Sequence, residues 1–248
     1  MRTIDLNADV GEGFATDAEL IPLLTSANIA CGGHAGDQRS MAAAVRRAVE
    51  SGVAIGAHPG HEDRAHFGRR ELPITPRELI DLLNGQVDRL HAIADGLGGR
   101  VSYLKLHGAL YHQVGRDEAL ADAAIDFVIC YHTPLSVLGR NGSQLARAAD
   151  HADVPFYAEA FADRAYSPDG ALVSRDSPAA VLGDTDAIAN QVHELIHVGE
   201  ALVINREARF CEIESLCLHG DHPSALENAV AVRTALCQAG CTLRAFSA

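Results

Sequence analysis

The run VSYLKLH, residues 101–107, decides how this sequence folds. Its apolar, β-rich start reads as a buried strand, yet it ends in an amine and an imidazole. Side chains alternate along a strand, so Lys105 and His107 share one face. Lys105 is the only lysine in a chain that carries nineteen arginines. A buried ammonium must find an anion or lose its proton, so the position calls for acids converging from elsewhere in the chain.

Six further runs have the same character: TIDLNAD (3–9), SANIAC (26–31), VAIGAH (53–58), PLSVLG (134–139), VPFYAEA (154–160) and IESLCLH (213–219). Helical patterns fall between them. MAAAVRRAVESG (41–52) ends in a glycine stop, PRELIDLLNGQVDRLHAIADG (76–96) carries Leu and Ile at three and four spacing, and DTDAIANQVHELIHVGE (184–200) opens on an Asp cap. Strand and helix alternate about seven times, which predicts parallel strands covered by helices. A closed barrel and an open doubly wound sheet both fit this pattern. With no linker, repeat or low-complexity tract in 248 residues, the chain reads as one domain over 1–248.

The polar residues cluster at one end of these strands. Asp9, His58, His107 and His219 stand at or just past four predicted strand ends, His34 follows the second strand, and Glu159 closes the sixth. In parallel α/β folds that end carries the active site. The loops beyond are glycine-rich beside charge: VGEGF (10–14), CGGHAGD (31–37), HPGHEDRAHFGRR (58–70), HGALYH (107–112) and HGDHP (219–223). Glycine there lets backbone approach a ligand closely. If Lys105 enters the same cavity, the acids supply its counter-charge.

Composition removes several function classes. A net charge of −13 argues against nucleic acid, whose phosphates need clustered cations. No signal-peptide pattern and no long apolar run occur, so a soluble, cytoplasmic protein without membrane contact is expected. The cysteines at 31, 130, 211, 217, 237 and 241 form no CxxC pair and are expected to be free thiols, with Cys237 and Cys241 as small buried residues on one helix face. P-loop, Rossmann and nucleophile-elbow motifs are absent. HELIH (193–197) matches the zincin pattern, but it lies mid-helix away from the polar strand ends and reads as a solvated face.

DLNADVGEGF (5–14), SANIACGGHAGD (26–37), GVAIGAHPG (52–60) with FGRR (67–70), LKLHGALYHQ (104–113), EAFADRAYSPDGALVSR (159–175) and CLHGDHP (217–223) resemble, in order, the successive motifs of the LamB/YcsF family. The departures at Gly33, Gln38 and Leu106 spare the ionisable residues. The resemblance implies a seven-stranded parallel β/α barrel, similar to glycoside hydrolases and deacetylases. It also implies ATP-dependent opening of 5-oxo-L-proline to L-glutamate, with ATP as co-substrate and two partner subunits.

For that chemistry Asp9 or Glu159 is the expected general base. Lys105 with an imidazole of His58 or His107 is expected to stabilise the oxyanion, and Arg69 or Arg70 to hold the substrate carboxylate. Asn7, Glu12, Asn28, His219 and Asp221 are the further candidates for substrate contact. One carboxylate and two imidazoles, Asp9, His34 and His58, suit a divalent metal, while a metal-free hydrogen-bonded cluster fits equally. The alternative activity is a stand-alone metal-dependent amide or carbohydrate deacetylase.

Overall fold

The computed structural model describes residues 2–167, 172–175, 177–178, 180–197, 200–201, 208–209 and 213–247. Cys211, residues 168–171 of the resemblance motif and residues 198–199 of the expected helix lie outside the described residues.

Seven parallel strands close into a barrel: β1 (Thr3–Val10), β2 (Ser26–Ala30), β3 (Ala54–His58), β4 (Val101–Leu104), β5 (Ser136–Arg140), β6 (Phe156–Phe161) and β7 (Ser215–His219). Pairing of β1 with β7 closes the ring, which decides between the barrel and the open sheet. A short eighth strand, β8 (Thr242–Leu243), adds beside the start of β1 and was not expected from the sequence. The outer helices are α1 (Gln38–Ser51), α2 (Pro76–Gly96), α3 (Gly108–Arg116), α4 (Glu118–Cys130), α5 (Gln144–His151), α6 (Thr185–His197) and α7 (Ala225–Gln238).

Local chemistry fixes the helix ends. Asp37 and Ser40 form a reciprocal capping box on α1, which stops at left-handed Gly52. Thr75 and Glu78 do the same for α2, with Pro76 in its first turn.

Alternation along β1 separates two interiors. Ile4, Leu6, Ala8 and Val10 are fully buried in the apolar layer. Asp5, Asn7 and Asp9 join polar contacts across the strands inside the barrel. Register then sets the layers: Asp9 lies opposite Asn28 on one side and His219 on the other. Tyr103 also crosses this interior, and a Cβ on Gly56 would sit 2.1 Å from its ring, so only glycine fits there.

Several boundaries differ from the sequence reading. Strand β4 ends at Leu104, so His107 is not a strand residue but the N-cap of α3, while β6 runs on to Phe161 and leaves Glu159 inside the strand. Among the described cysteines all are free, but Cys237 is exposed, and buried Cys241 lies past the end of α7 rather than on its face. The helix carrying HELIH presents His193 and Glu194 to solvent, as expected.

Candidate active site

Lys105 follows β4 directly, its N–H still bonded to Ala57 O, and it is only 2% exposed. Its Nζ lies 3.2 Å from Asp9 Oδ1, 3.0 Å from Glu159 Oε2, 3.1 Å from Asn7 Oδ1 and 3.0 Å from Cys217 Sγ. Burial alone would strip the proton from this amine. Asp9, Cys217 and Glu159 outweigh it and hold the Lys105 pKa well above its ordinary value. Burial would likewise raise Asp9, but His58 and Lys105 pull its carboxyl well below the usual range. The result is a buried Asp9–Lys105–Glu159 cluster in which Lys105 and Asp9 stay charged.

Amides align this cluster. Asn28 Nδ2 donates to Asp9 Oδ1 at 2.8 Å and to Asn7 Oδ1 at 2.7 Å, and Tyr103 OH donates to Asn28 Oδ1 at 2.7 Å. Below it, Asn7 Nδ2 donates to Ser215 Oγ, which in turn donates to Asp5. Burial raises Asp5 to about 6 despite hydroxyl bonds from Ser215, Ser26 and Thr25.

Beside Asp9, three imidazoles and one acid gather their potential ligand atoms close together. His58 Nδ1 donates to Lys105 O at 2.8 Å and His107 Nε2 donates to Phe67 O at 2.9 Å, which orients both rings. Their other nitrogens, His58 Nε2 and His107 Nδ1, face each other at 3.0 Å. Glu12 Oε1 lies 3.1 Å from His34 Nε2 and 3.6 Å from His107 Nδ1, and the donor atoms of all four residues lie within 4.8 Å of one another. The His34 and His107 rings stack at 3.6 Å. Burial lowers His34 to about 2 and drives His107 well below its ordinary value, so both rings stay neutral.

This donor set fits a divalent cation. Tetrahedral ligands at the usual Zn–N and Zn–O lengths stand about 3.3 Å apart, close to the separations found here. Burial, with Asp9 and Asp221 nearby, raises Glu12 well above the carboxylate range, so an ionised Glu12 calls for a positive partner. Of the metal ligands expected from sequence, His34 and His58 lie in this group that could hold an ion, together with Glu12 and His107. Asp9 stands outside the four, with Oδ2 at 3.2 Å from His58 Nε2 and its other oxygen turned to Lys105. The N–H that His58 and His107 each give to a backbone carbonyl is not available to an oxyanion.

A cavity of about 410 Å³ opens above Asp9, Glu12, Lys105 and His107. Arg69, paired with Asp221 and packed 4.8 Å over the Phe67 ring, lines it. Arg70 does not: it pairs with Asp63 at 3.3 Å away from the cavity, so of the two arginines only Arg69 is placed to meet a substrate. Arg175 also reaches Asp221, and burial is offset by His219, Arg175 and Arg69 to leave Asp221 at about 2. His219 lines the wall and donates from Nδ1 to Asp163 at 2.9 Å. Asn7, Asn28 and Glu159 lie beneath the cavity rather than on its surface.

Sequence reasoning missed Tyr111, His112, Arg116, Arg164, Arg175 and Asp163. Tyr111 and His112 stand in the HGALYH loop already singled out. Asp163, Arg164 and Arg175 stand in the 159–175 motif, but nothing in their spacing turns them toward Arg116.

The family model described as LamB/YcsF family matches residues 4–248. A protein of Nocardia farcinica (strain IFM 10152), named as one of the subunits of 5-oxoprolinase, is 44% identical over 248 residues, covering 98% of this chain and 99% of that protein. Among solved structures, a lactam utilization protein from Thermus thermophilus superposes with a TM-score of 0.90 at 36% identity, covering 98% of this chain and 100% of that one. A family 4 carbohydrate esterase from Streptomyces lividans, 12% identical over 99% of this chain and 93% of its own, shares the fold at a TM-score of 0.54.

Proposed function

Because the chain belongs to the LamB/YcsF family, we propose that it is the lactam-opening component of a 5-oxoprolinase, hydrolysing 5-oxo-L-proline to L-glutamate after ATP-dependent activation by partner subunits. The observation that carries this reading is the buried Asp9–Lys105–Glu159 cluster at the floor of a cavity walled by Arg69. A lactam is a resonance-stabilised amide, and this geometry supplies what its opening needs.

Arg69 binds the substrate carboxylate as a bidentate pair, held in place by Asp221. Asp9 accepts the proton of the attacking water and returns it to the leaving nitrogen. Its low pKa keeps it ionised at neutral pH, though at some cost in basicity. Lys105 faces the oxygen on which negative charge develops. Glu159, fully enclosed, keeps Lys105 charged and in position rather than touching substrate. Glu12, His34, His58 and His107 are the residues that would hold a divalent ion, which when bound supplies Lewis acidity and an acidified water. Asn7 and Asn28 align Asp9, and His219 completes the wall.

The test is glutamate release from 5-oxoproline by the chain assembled with its partner subunits, with and without ATP. Wild type is expected to require ATP and all subunits, and Lys105→Ala to assemble normally but lose turnover. Near-normal turnover by Lys105→Ala would end this assignment. Amide or acetyl-ester hydrolysis by the isolated chain would favour the stand-alone deacetylase instead.

A further inference from the structure

A second cavity, about 240 Å³, adjoins the first and shares Tyr111, His112 and Arg116 with it. Gly139 and Arg140 at the end of β5, Gly115 of α3, and Ser143 and Leu145 at the start of α5 complete its wall. Among the described residues no carboxylate lines it, although the chain carries thirteen more acids than bases. Arg140 has no hydrogen bond or ion pair through its guanidinium among the described residues, while Arg116 is held from outside by Glu71. His112 and Arg116 lie one turn apart on α3 and face the same space. A Cβ on Gly115 would meet only Ser143, at 3.7 Å, so the floor is left open. Partial burial together with Arg164, Arg140 and Arg116 pushes His112 down to about 4, which reports the cationic field at this wall.

We propose that this side cavity is a seat for a phosphate-sized oxyanion, with Arg140 and Arg116 as its ligands. Its use rests on the function proposed above: the anion is the phosphoryl group carried by the activated lactam. Transfer of the ATP γ-phosphoryl to the lactam oxygen releases ADP and leaves a C–O–P imidate. Water then adds to the ring carbon. Expulsion of phosphate from that centre returns the lactam and wastes the ATP. Breaking the C–N bond, with the nitrogen taking a proton, opens the ring to an acyl phosphate, which a second water hydrolyses to glutamate and inorganic phosphate. A seat that grips the phosphoryl oxygens while the lactam carbon lies over Lys105 disfavours the wasteful exit.

Two arms test this. First, inorganic phosphate is titrated into the isolated chain by calorimetry and ³¹P NMR. Arg140→Ala is expected to bind at least about tenfold more weakly, the loss of a charge-assisted hydrogen bond. Arg77→Ala, an exposed arginine of α2, should bind as wild type does. Arg140→Lys, which keeps the charge without the fork, should recover part of the affinity. Second, ADP and glutamate are counted in the assembled enzyme, where Arg140→Ala should release more ADP per glutamate than wild type. No phosphate binding to wild type, or equal binding to Arg140→Ala with an unchanged melting temperature, overturns the seat. Weakened phosphate binding with an unchanged ADP-to-glutamate ratio overturns its use for the substrate and leaves free phosphate as the ligand. An assembled wild type that releases no glutamate counts against the proposed function, not against the titration result.

Discussion

Lys105 is the residue around which the buried cluster gathers, because a lone buried amine demands acids. Which acids could be named only in part: Asp9 was visible at a strand end, whereas Glu159 meets Lys105 from inside β6 through barrel closure. Removing the amine leaves two buried carboxylates without counter-charge. Lys105→Met should therefore lose about 3–5 kcal/mol of stability in urea unfolding, as when one partner of a buried pair is deleted. Asp5 gives a pH test of the same interior. Its folded pKa of about 6 exceeds the ordinary 3.8, so the folded state holds the proton more tightly than the unfolded chain. The contribution to stability is thus fullest below about pH 4 and is lost as pH rises toward 6, by about 3 kcal/mol at most. Asp5→Asn should flatten that part of the stability–pH curve, measured by denaturation between those values. A curve as steep as wild type would assign the dependence elsewhere.

At the scale of elements, the loops after the strands do what their glycines suggested, but their directions were not readable. The loop after β3 reverses at Phe67, a non-glycine residue at φ 55°, and at Gly68, φ 61°. That reversal sends Arg69 into the cavity and Arg70 to Asp63, a distinction two adjacent arginines cannot carry in sequence. It also places Phe67 O to accept from His107 and brings Gly68 against His34, where a Cβ would stand 2.6 Å from the His34 Cβ. Gly68→Ala should displace the His34 ring and loosen any metal held by the four residues, with both the steric clash and the positive φ opposing the methyl. Expected outcomes are a metal content per chain well below wild type and a lowered melting temperature. Full metal content in Gly68→Ala would mean that His34 is not a ligand. The expectation that His107 ends a strand failed for a related reason: β4 stops at Leu104, and the chain turns early to cap α3.

For the whole molecule, the barrel was legible from alternating apolar runs, while its closure was not, since an open sheet has the same periodicity. Closure matters chemically because it makes the strand interior a polar shaft running from Asp5 through Ser215 and Asn7 to Asp9. The apolar layer outside that shaft holds it rigid. Among the described residues no helix is long and apolar enough to cross a membrane. The cluster at the open end divides the two states left open by sequence. Three imidazoles and Glu12 bring their ligand atoms within 4.8 Å of one another, a donor set that a divalent cation would draw together. A metal bound only by the folded chain stabilises it by RT ln(1 + [M]/Kd), about 2.7 kcal/mol at a hundredfold excess over Kd. Chelator-treated protein should therefore gain a clear rise in melting temperature on adding Zn²⁺. His34→Ala should lose that increment, while His193→Ala, in the exposed HELIH turn, should keep it. If wild type melts identically with and without chelator and metal, the four residues form a proton-sharing cluster, and opening of the lactam then rests on Asp9 and Lys105 alone.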